Sequence, residues 1–347
     1  MKISKRKPYN PINKSLWEYL EKYNRMVKLP VGYSDLMRYQ DSFPHIDQKG
    51  KSTLWDTLMY QDSVAMELNE GLTMLYSLLK TEGDLQITKH LKASRIDYCT
   101  FGNSHPFRVR IVNLLNDNYD YMYIKKADAS RVYGLELEHL LSPNYISYLV
   151  YGNTLVEEHI AGIPGDQFVQ TYIRNPSFNK VRFAKEFVKF NERCFVRLLG
   201  DMRSYNYVVD VTPDFEEEQY RIRAIDFDQQ SHEGHKSVYL PQFFKDNNVI
   251  INLGMEFMKV ETTRQYQFEE RTLIARRLNI NNEKVSDLIQ CMKKHDLSTP
   301  EKIQQLKKEL NKFHKTESFS KCNNMGDILE TNLRIILADH VKKLELT

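Results

Sequence analysis

Glycine is scarce in this sequence, with 13 among 347 residues and no G-x-G-x-x-G turn among them. Cysteine is scarcer still. Cys99, Cys194, Cys291 and Cys322 are widely separated and form no C-x-x-C pair. That pattern excludes a disulfide framework or a zinc site and reads as reduced thiols of an intracellular protein. No charge of one sign dominates: 49 basic and 46 acidic residues leave a net charge of +3, too balanced for nucleic acid as the main partner. No apolar run approaches membrane-spanning length, so no membrane span is expected. The basic leader M-K-I-S-K-R-K precedes no apolar stretch and does not read as a secretory signal. The expectation is a soluble, cytoplasmic protein with material for one large domain or two ordinary ones.

What is present is a change of period along the chain. Residues 1–95 read as a helical extension. It would hold a short amphipathic helix near Ser15–Met26, with Leu16, Trp17, Leu20 and Tyr23 at helical spacing and Trp17 as a packing anchor. A longer helix, capped by Ser52 or Thr53, would run to Lys80, with Gly71 as a candidate break. From Ile96 the period becomes two. R-I-D-Y-C-T-F, F-R-V-R-I-V-N and Y-M-Y-I-K-K read as strands joined by the turns G-N-S-H-P and N-D-N-Y-D. Alternation puts Tyr121, Tyr123 and Lys125 on one face of the third strand and Met122, Ile124 and Lys126 on the other. A helix follows in R-V-Y-G-L-E-L-E-H-L-L, then a hairpin around Gly152-Asn153, then A-G-I-P-G-D, which reads as a linker.

Asn179–Leu199 reads as the next helix, and it delivers the chain to L-G-D-M-R-S-Y-N, a polar turn carrying Asp201, Arg203 and Asn206. Two strand-like runs follow, Tyr207–Val211 and Tyr220–Phe227, and the second ends on Asp226, with Asp228 just beyond. His232 and His235 lie in the next loop, where two lone histidines read as exposed rather than as metal ligands. From about Gln265 the chain reads as helical, with Thr299 capping one helix and Asp327–Leu344 forming the last. A carboxylate, a cation and an amide in one turn beside a second carboxylate supply what phosphoryl transfer needs. These are a group to orient or deprotonate a hydroxyl, oxygen ligands for magnesium, and a charge to offset the migrating group. A turn of Asp, Asn and Ser also arises for local hydrogen-bonding reasons alone.

Taken in chain order from Ile96 to Gln229, these elements resemble the protein-kinase-like superfamily, which includes the aminoglycoside and choline phosphotransferases. The resemblance implies an α+β bilobal fold, with an antiparallel-sheet N-lobe over 96–162 and a mostly helical C-lobe over 163–347, and it implies ATP and magnesium as cofactors. By the same resemblance Asp201 is the catalytic base, Arg203 faces the transferred phosphate, and Asn206 and Asp226 are magnesium ligands. Lys125 meets the phosphates and pairs with Glu136, or with Glu138 two positions on. Gly102 and Ser104 belong to the turn over the phosphates, and main-chain groups of Glu158 and Ile160 meet the adenine. The sequence departs from the family in its single Gly102, in Glu157 at the rear of the adenine pocket, in Asp228 where many protein kinases have glycine, and in lacking an A-P-E-like segment. The implied partners are a nucleotide and a hydroxyl-bearing small molecule or protein, and the missing A-P-E tilts towards the small molecule. A kinase-fold protein that binds nucleotide or a partner without catalysis is the alternative, and transfer of a nucleotide instead of a phosphoryl group stays open.

Overall fold

Alternating residues in F-R-V-R-I-V-N turn Phe107, Val109 and Ile111 into a core and leave Arg108 and Arg110 on the opposite face. That pattern belongs to the first of two compact units into which the chain divides, residues 1–129 with 146–159, and 130–145 with 160–347. The computed structural model describes residues 7–47, 50–81, 85–100, 104–215 and 217–344.

The first unit holds α1 (Lys14–Lys22), α2 (Tyr33–Leu36), β1 (Asp41–Ile46), β2 (Ser52–Met59), α3 (Asp62–Thr81), β3 (Leu91–Tyr98), β4 (Phe107–Asn113), β5 (Tyr119–Lys126), β6 (Tyr148–Tyr151) and β7 (Thr154–Glu158). Its strands form one antiparallel sheet in the order β1-β2-β3-β4-β5-β7-β6. Leu68, Leu72 and Leu75 of α3 share a core with Val109, Met122, Ile124 and Val156 on one face of the sheet. The other face carries a row of directly opposed residues, Thr57, Asp97, Arg108, Tyr123 and Glu157.

Residues 1–95 are therefore not a helical extension, because β1, β2 and much of β3 come from them. The segment read as the start of one long helix is β2, and α3 begins only at Asp62. Its Trp and Thr residues find partners across strands: Thr57 Oγ1 donates to Asp97 Oδ1 at 2.8 Å, and the Arg108 guanidinium lies 4.5 Å from the Trp55 ring. Gly71 does not break α3. A Cβ there would come within 2.2 Å of Val31 Cγ2, so the glycine admits a neighbouring segment. In α1 the buried side chains are Leu16, Tyr19 and Leu20, while Trp17 is only half-buried.

The second unit contains α4 (Ala129–Leu141, all but its first residue), β8 (Ile163–Pro164), α5 (Gly165–Gln170), α6 (Lys180–Arg197), β9 (Tyr207–Asp214), β10 (Glu217–Ala224), α7 (Asn248–Phe257), α8 (Val260–Ile280), α9 (Asn282–Lys293), α10 (Pro300–His314) and α11 (Met325–Leu344). Its small antiparallel sheet has the order β10-β9-β8. Asn179 caps α6, accepting from Arg182 N, and Phe183, Phe187, Phe190 and Phe195 of that helix are buried. Thr299 caps α10 ahead of Pro300. The architecture is thus α+β with antiparallel sheets. Among the described residues no helix is long and apolar enough to cross a membrane, and no disulfide joins any of the four cysteines.

Because Val31 is itself buried and stiff at its branched Cβ, Gly71→Ala should destabilise the protein by about 1–3 kcal/mol. Gly71→Ala/Val31→Ala should lose less than the sum of the two single variants in urea denaturation.

Candidate functional site

Helix α6 ends because Leu198 takes a left-handed conformation, with φ +54°. Its last carbonyls are satisfied from outside: Gln230 Nε2 donates to Arg197 O at 2.6 Å, and Asn332 Nδ2 donates to Phe195 O at 3.0 Å. The chain leaves the helix in a fixed direction. Gly200 N donates to Gln229 O at 3.2 Å and Asp201 N to Val238 O at 3.0 Å, so Asp201 is held with φ +59°.

The turn then closes on itself. Asn206 Nδ2 donates to the Asp201 carbonyl at 2.7 Å, and Arg203 Nε donates to Asp201 Oδ1 at 3.0 Å. Ile225 N donates to Asn206 O at 3.0 Å, which ties the turn to the residue before Asp226. β10 ends at Ala224, so Asp226 stands in the following loop and not on the strand itself. The structure thus gathers Asp201, Arg203, Asn206 and Asp226 in one loop cluster of the second unit. Burial raises the Asp201 pKa above the ordinary aspartate value. The hydrogen bond and charge of Arg203 offset this only in part, and Glu233 and Asp246 add to it. Asp201 is accordingly a stronger base than an exposed aspartate.

Asp226 does not stand alone. Arg131 Nη1, on α4, donates to Asp226 Oδ1 and to Asp228 Oδ1, both at 2.9 Å, and Nη2 donates to Ile225 O at 3.1 Å. Asp228 N also donates to Asp226 Oδ1 at 3.0 Å. Gly134, one turn along α4, lets the helix meet Phe227, since a Cβ there would lie 2.9 Å from Phe227 Cβ. Nothing in the sequence reading picked out Arg131. Arg131, Gly134 and Glu138 share one helix face, but that spacing does not tell which face meets a carboxylate pair.

Magnesium takes oxygen ligands, usually one or two carboxylates completed by phosphates and water. Asp226, with a side chain 35% exposed, and the Asn206 amide, oriented by its bond to Asp201 O, are donors of that kind, so the residues fit the ion. Among the described residues no cluster of three or more His, Cys, Asp or Glu is arranged to hold a metal.

The remaining sequence-selected residues are placed as follows. Lys125, in the first unit, is buried, and its Nζ is 2.9 Å from Glu157 Oε2, while Lys126 is exposed. Glu136 is in the second unit and buried. Glu138, the alternative partner, is also buried, and it pairs with Arg197. Ser104 lies in the β3–β4 turn, and Gly102 falls outside the described residues. Glu158 N donates to Ser147 O at 3.1 Å, so that N–H belongs to strand pairing, and its carboxylate meets Lys80 at 3.1 Å. Ile160 is a buried residue of the second unit. His232 is buried, contrary to expectation. Its Nδ1 lies 2.7 Å from Leu297 O and its Nε2 3.1 Å from Lys302 Nζ, contacts that fix the ring without a metal. His235 is exposed and meets Glu309.

Replacing one carboxylate oxygen of a buried pair by an amide removes a charge-assisted hydrogen bond. Glu157→Gln should therefore destabilise the protein by roughly 1.5–3 kcal/mol, as measured by urea denaturation.

No model of a known protein family matches the chain, and no curated protein sequence matches it.

Proposed function

We propose that this protein is an ATP- and magnesium-dependent phosphotransferase with a bilobal protein-kinase-like fold. It moves the γ-phosphoryl group to a hydroxyl, with a small-molecule acceptor preferred over a protein. The observation that carries the reading is the closed turn, in which the Asn206 amide holds the Asp201 carbonyl and Ile225 N holds Asn206, so that Asp201, Asn206 and Asp226 share one cluster. Five residues separate Asp201 from Asn206 in sequence, the spacing and order by which the chain resembles the superfamily.

In this reading Asp201 orients the acceptor hydroxyl and takes its proton as the new O–P bond forms and the bond to the ADP oxygen breaks. Burial makes its carboxylate more basic, which suits that role. Arg203 offsets charge on the migrating group, and its bond to Asp201 keeps it at the reacting centre. Asn206 and Asp226 would hold magnesium, which neutralises phosphate charge when bound. Lys125 would bind phosphate oxygens.

A catalytically silent nucleotide-binding protein is the second reading. It is favoured by two observations, Glu157 on Lys125 and Arg131 on Asp226, because both of those charges already have partners.

Thermal stabilisation by ATP should require magnesium, and Asp226→Ala should lose the magnesium-dependent part. With labelled ATP, Asp201→Ala should lower transfer by roughly 100-fold or more while keeping that stabilisation. Stabilisation of the wild type without any transfer would support the silent reading, and a lack of both would end the nucleotide proposal. Label appearing in a metabolite or in a protein band decides the acceptor class.

A further inference from the structure

A cleft at the end of α10, wholly within the second unit, has no part in the chemistry above. Its volume is about 500 Å³, within the range of about 300–1,000 Å³ usual for small-molecule sites. Lys307, Lys308, Lys312 and Lys315 line it, and Glu317 is its one acidic residue.

Helix α10 stops at Lys315, whose φ of +53° turns the chain back along the helix. Asn311 ties the returning segment down: its Oδ1 accepts from Phe319 N at 3.0 Å, and its Nδ2 donates to Ser320 Oγ at 2.9 Å. Phe319 is fully buried, and Lys307 Nζ donates to Cys322 O at 2.6 Å. Glu317 is engaged within the same segment, where its Oε2 accepts from Ser320 Oγ at 2.9 Å. The cleft is therefore shaped by its own bonds.

The helix wall is of another kind. Lys308, Lys312 and Lys315 are exposed, and among the described residues their ammonium groups meet no carboxylate and no other acceptor. Spacings of four and three residues put them on one helix face. The other charges of the helix are engaged elsewhere. Lys302 pairs with Glu233, while Glu309, one turn before Lys312, is turned onto Lys236 N at 2.7 Å and Gln305 Nε2 at 2.6 Å. Three like charges thus repel one another along a preformed cleft.

From Lys308 to Lys315 the stripe runs about 10 Å at 1.5 Å per residue, a span for several anionic groups on one molecule. No arginine lines the cleft, so no planar fork is offered to a single carboxylate. Lysines act as point charges on mobile stems, which suits phosphate groups at different distances.

We propose that this cleft binds a compact, soluble molecule carrying several phosphate groups, with Lys308, Lys312 and Lys315 as its cationic wall. The proposal does not depend on the phosphotransferase reading.

The test is calorimetric titration of the full-length protein with inositol hexakisphosphate and with inorganic tripolyphosphate, without magnesium and at about 0.15 M salt. Wild type should bind at least one of them saturably. Lys308→Gln/Lys312→Gln should weaken that binding by roughly tenfold or more. The same variant should unfold at a temperature no lower than wild type, because it loses a like-charged pair one turn apart. Lys51→Gln/Lys92→Gln takes equal charge from the first unit and should leave the affinity unchanged. Absence of saturable binding overturns the proposal, as does full affinity in Lys308→Gln/Lys312→Gln. Equal losses in the two double variants overturn it as well, since net charge would then account for binding. If Lys308→Gln/Lys312→Gln does not fold, Lys315→Gln decides: a roughly threefold loss supports the proposal, and an unchanged affinity overturns it. Tighter binding of a hexaglutamate peptide or of phosphatidylserine vesicles than of either phosphate compound would overturn the ligand class.

Discussion

A charge withdrawn from water must find an opposite charge or several donors, and that constraint organises the polar residues of both units. In the first unit, Asp97 is fully buried and is met by Arg95, Arg108 and Thr57, while Lys125 and Glu157 face each other a short distance along the same sheet face. In the second unit, Arg193 lies between Glu186 and Glu270, Arg197 pairs with Glu138, and Arg131 holds Asp226 and Asp228. Pairs of this kind add little net stability over apolar residues of equal volume, but breaking one is costly. Their effect here is to fix geometry. Helix α4, buried almost throughout, carries both Arg131 and Glu138 and so connects the Asp226 loop with the end of α6.

The turn after α6 follows from the same requirement applied to the backbone. A helix end leaves carbonyls without partners, and here Gln230 and Asn332 supply the donors from distant parts of the chain. Leu198 and Asp201 both take positive φ, a conformation that costs energy for residues with a Cβ and persists because surrounding bonds enforce it. Asp201 N on Val238 O and Asn206 Nδ2 on Asp201 O are those bonds. The position of the Asp201 carboxylate is therefore set by segments before and after it in sequence, and not by the turn alone.

Elements governed by local pattern were legible in the sequence. The strands β4 and β5, the β6–β7 hairpin, α6 with its Asn179 cap and α10 with Thr299 and Pro300 all lie close to where period and capping residues put them, while β3 begins at Leu91, ahead of the run R-I-D-Y-C-T-F. What escaped depends on partners far along the chain. β2 reads as helix until Thr57 meets Asp97 and Trp55 meets Arg108. Gly71 reads as a break until Val31 arrives beside it, and His232 reads as exposed until Leu297 and Lys302 enclose it. The Asp201, Arg203, Asn206 and Asp226 cluster was legible as a set. The arginine behind it was not, because a helix written R-V-Y-G-L-E-L-E-H does not reveal which of its faces meets a carboxylate pair.

Under the phosphotransferase reading, the two ion pairs beside the site residues differ in what they permit. The Lys125 ammonium is a point charge on a flexible stem, held 2.9 Å from Glu157 Oε2. Arg131 offers a rigid planar fork, already committed to two carboxylates and a carbonyl. Redirecting it would break three contacts at once in a nearly dry interior, so it cannot exchange partners as a lysine can. The two pairs that favour the silent reading are thus different in kind, a lysine on a flexible stem in the first unit and a committed arginine fork in the second.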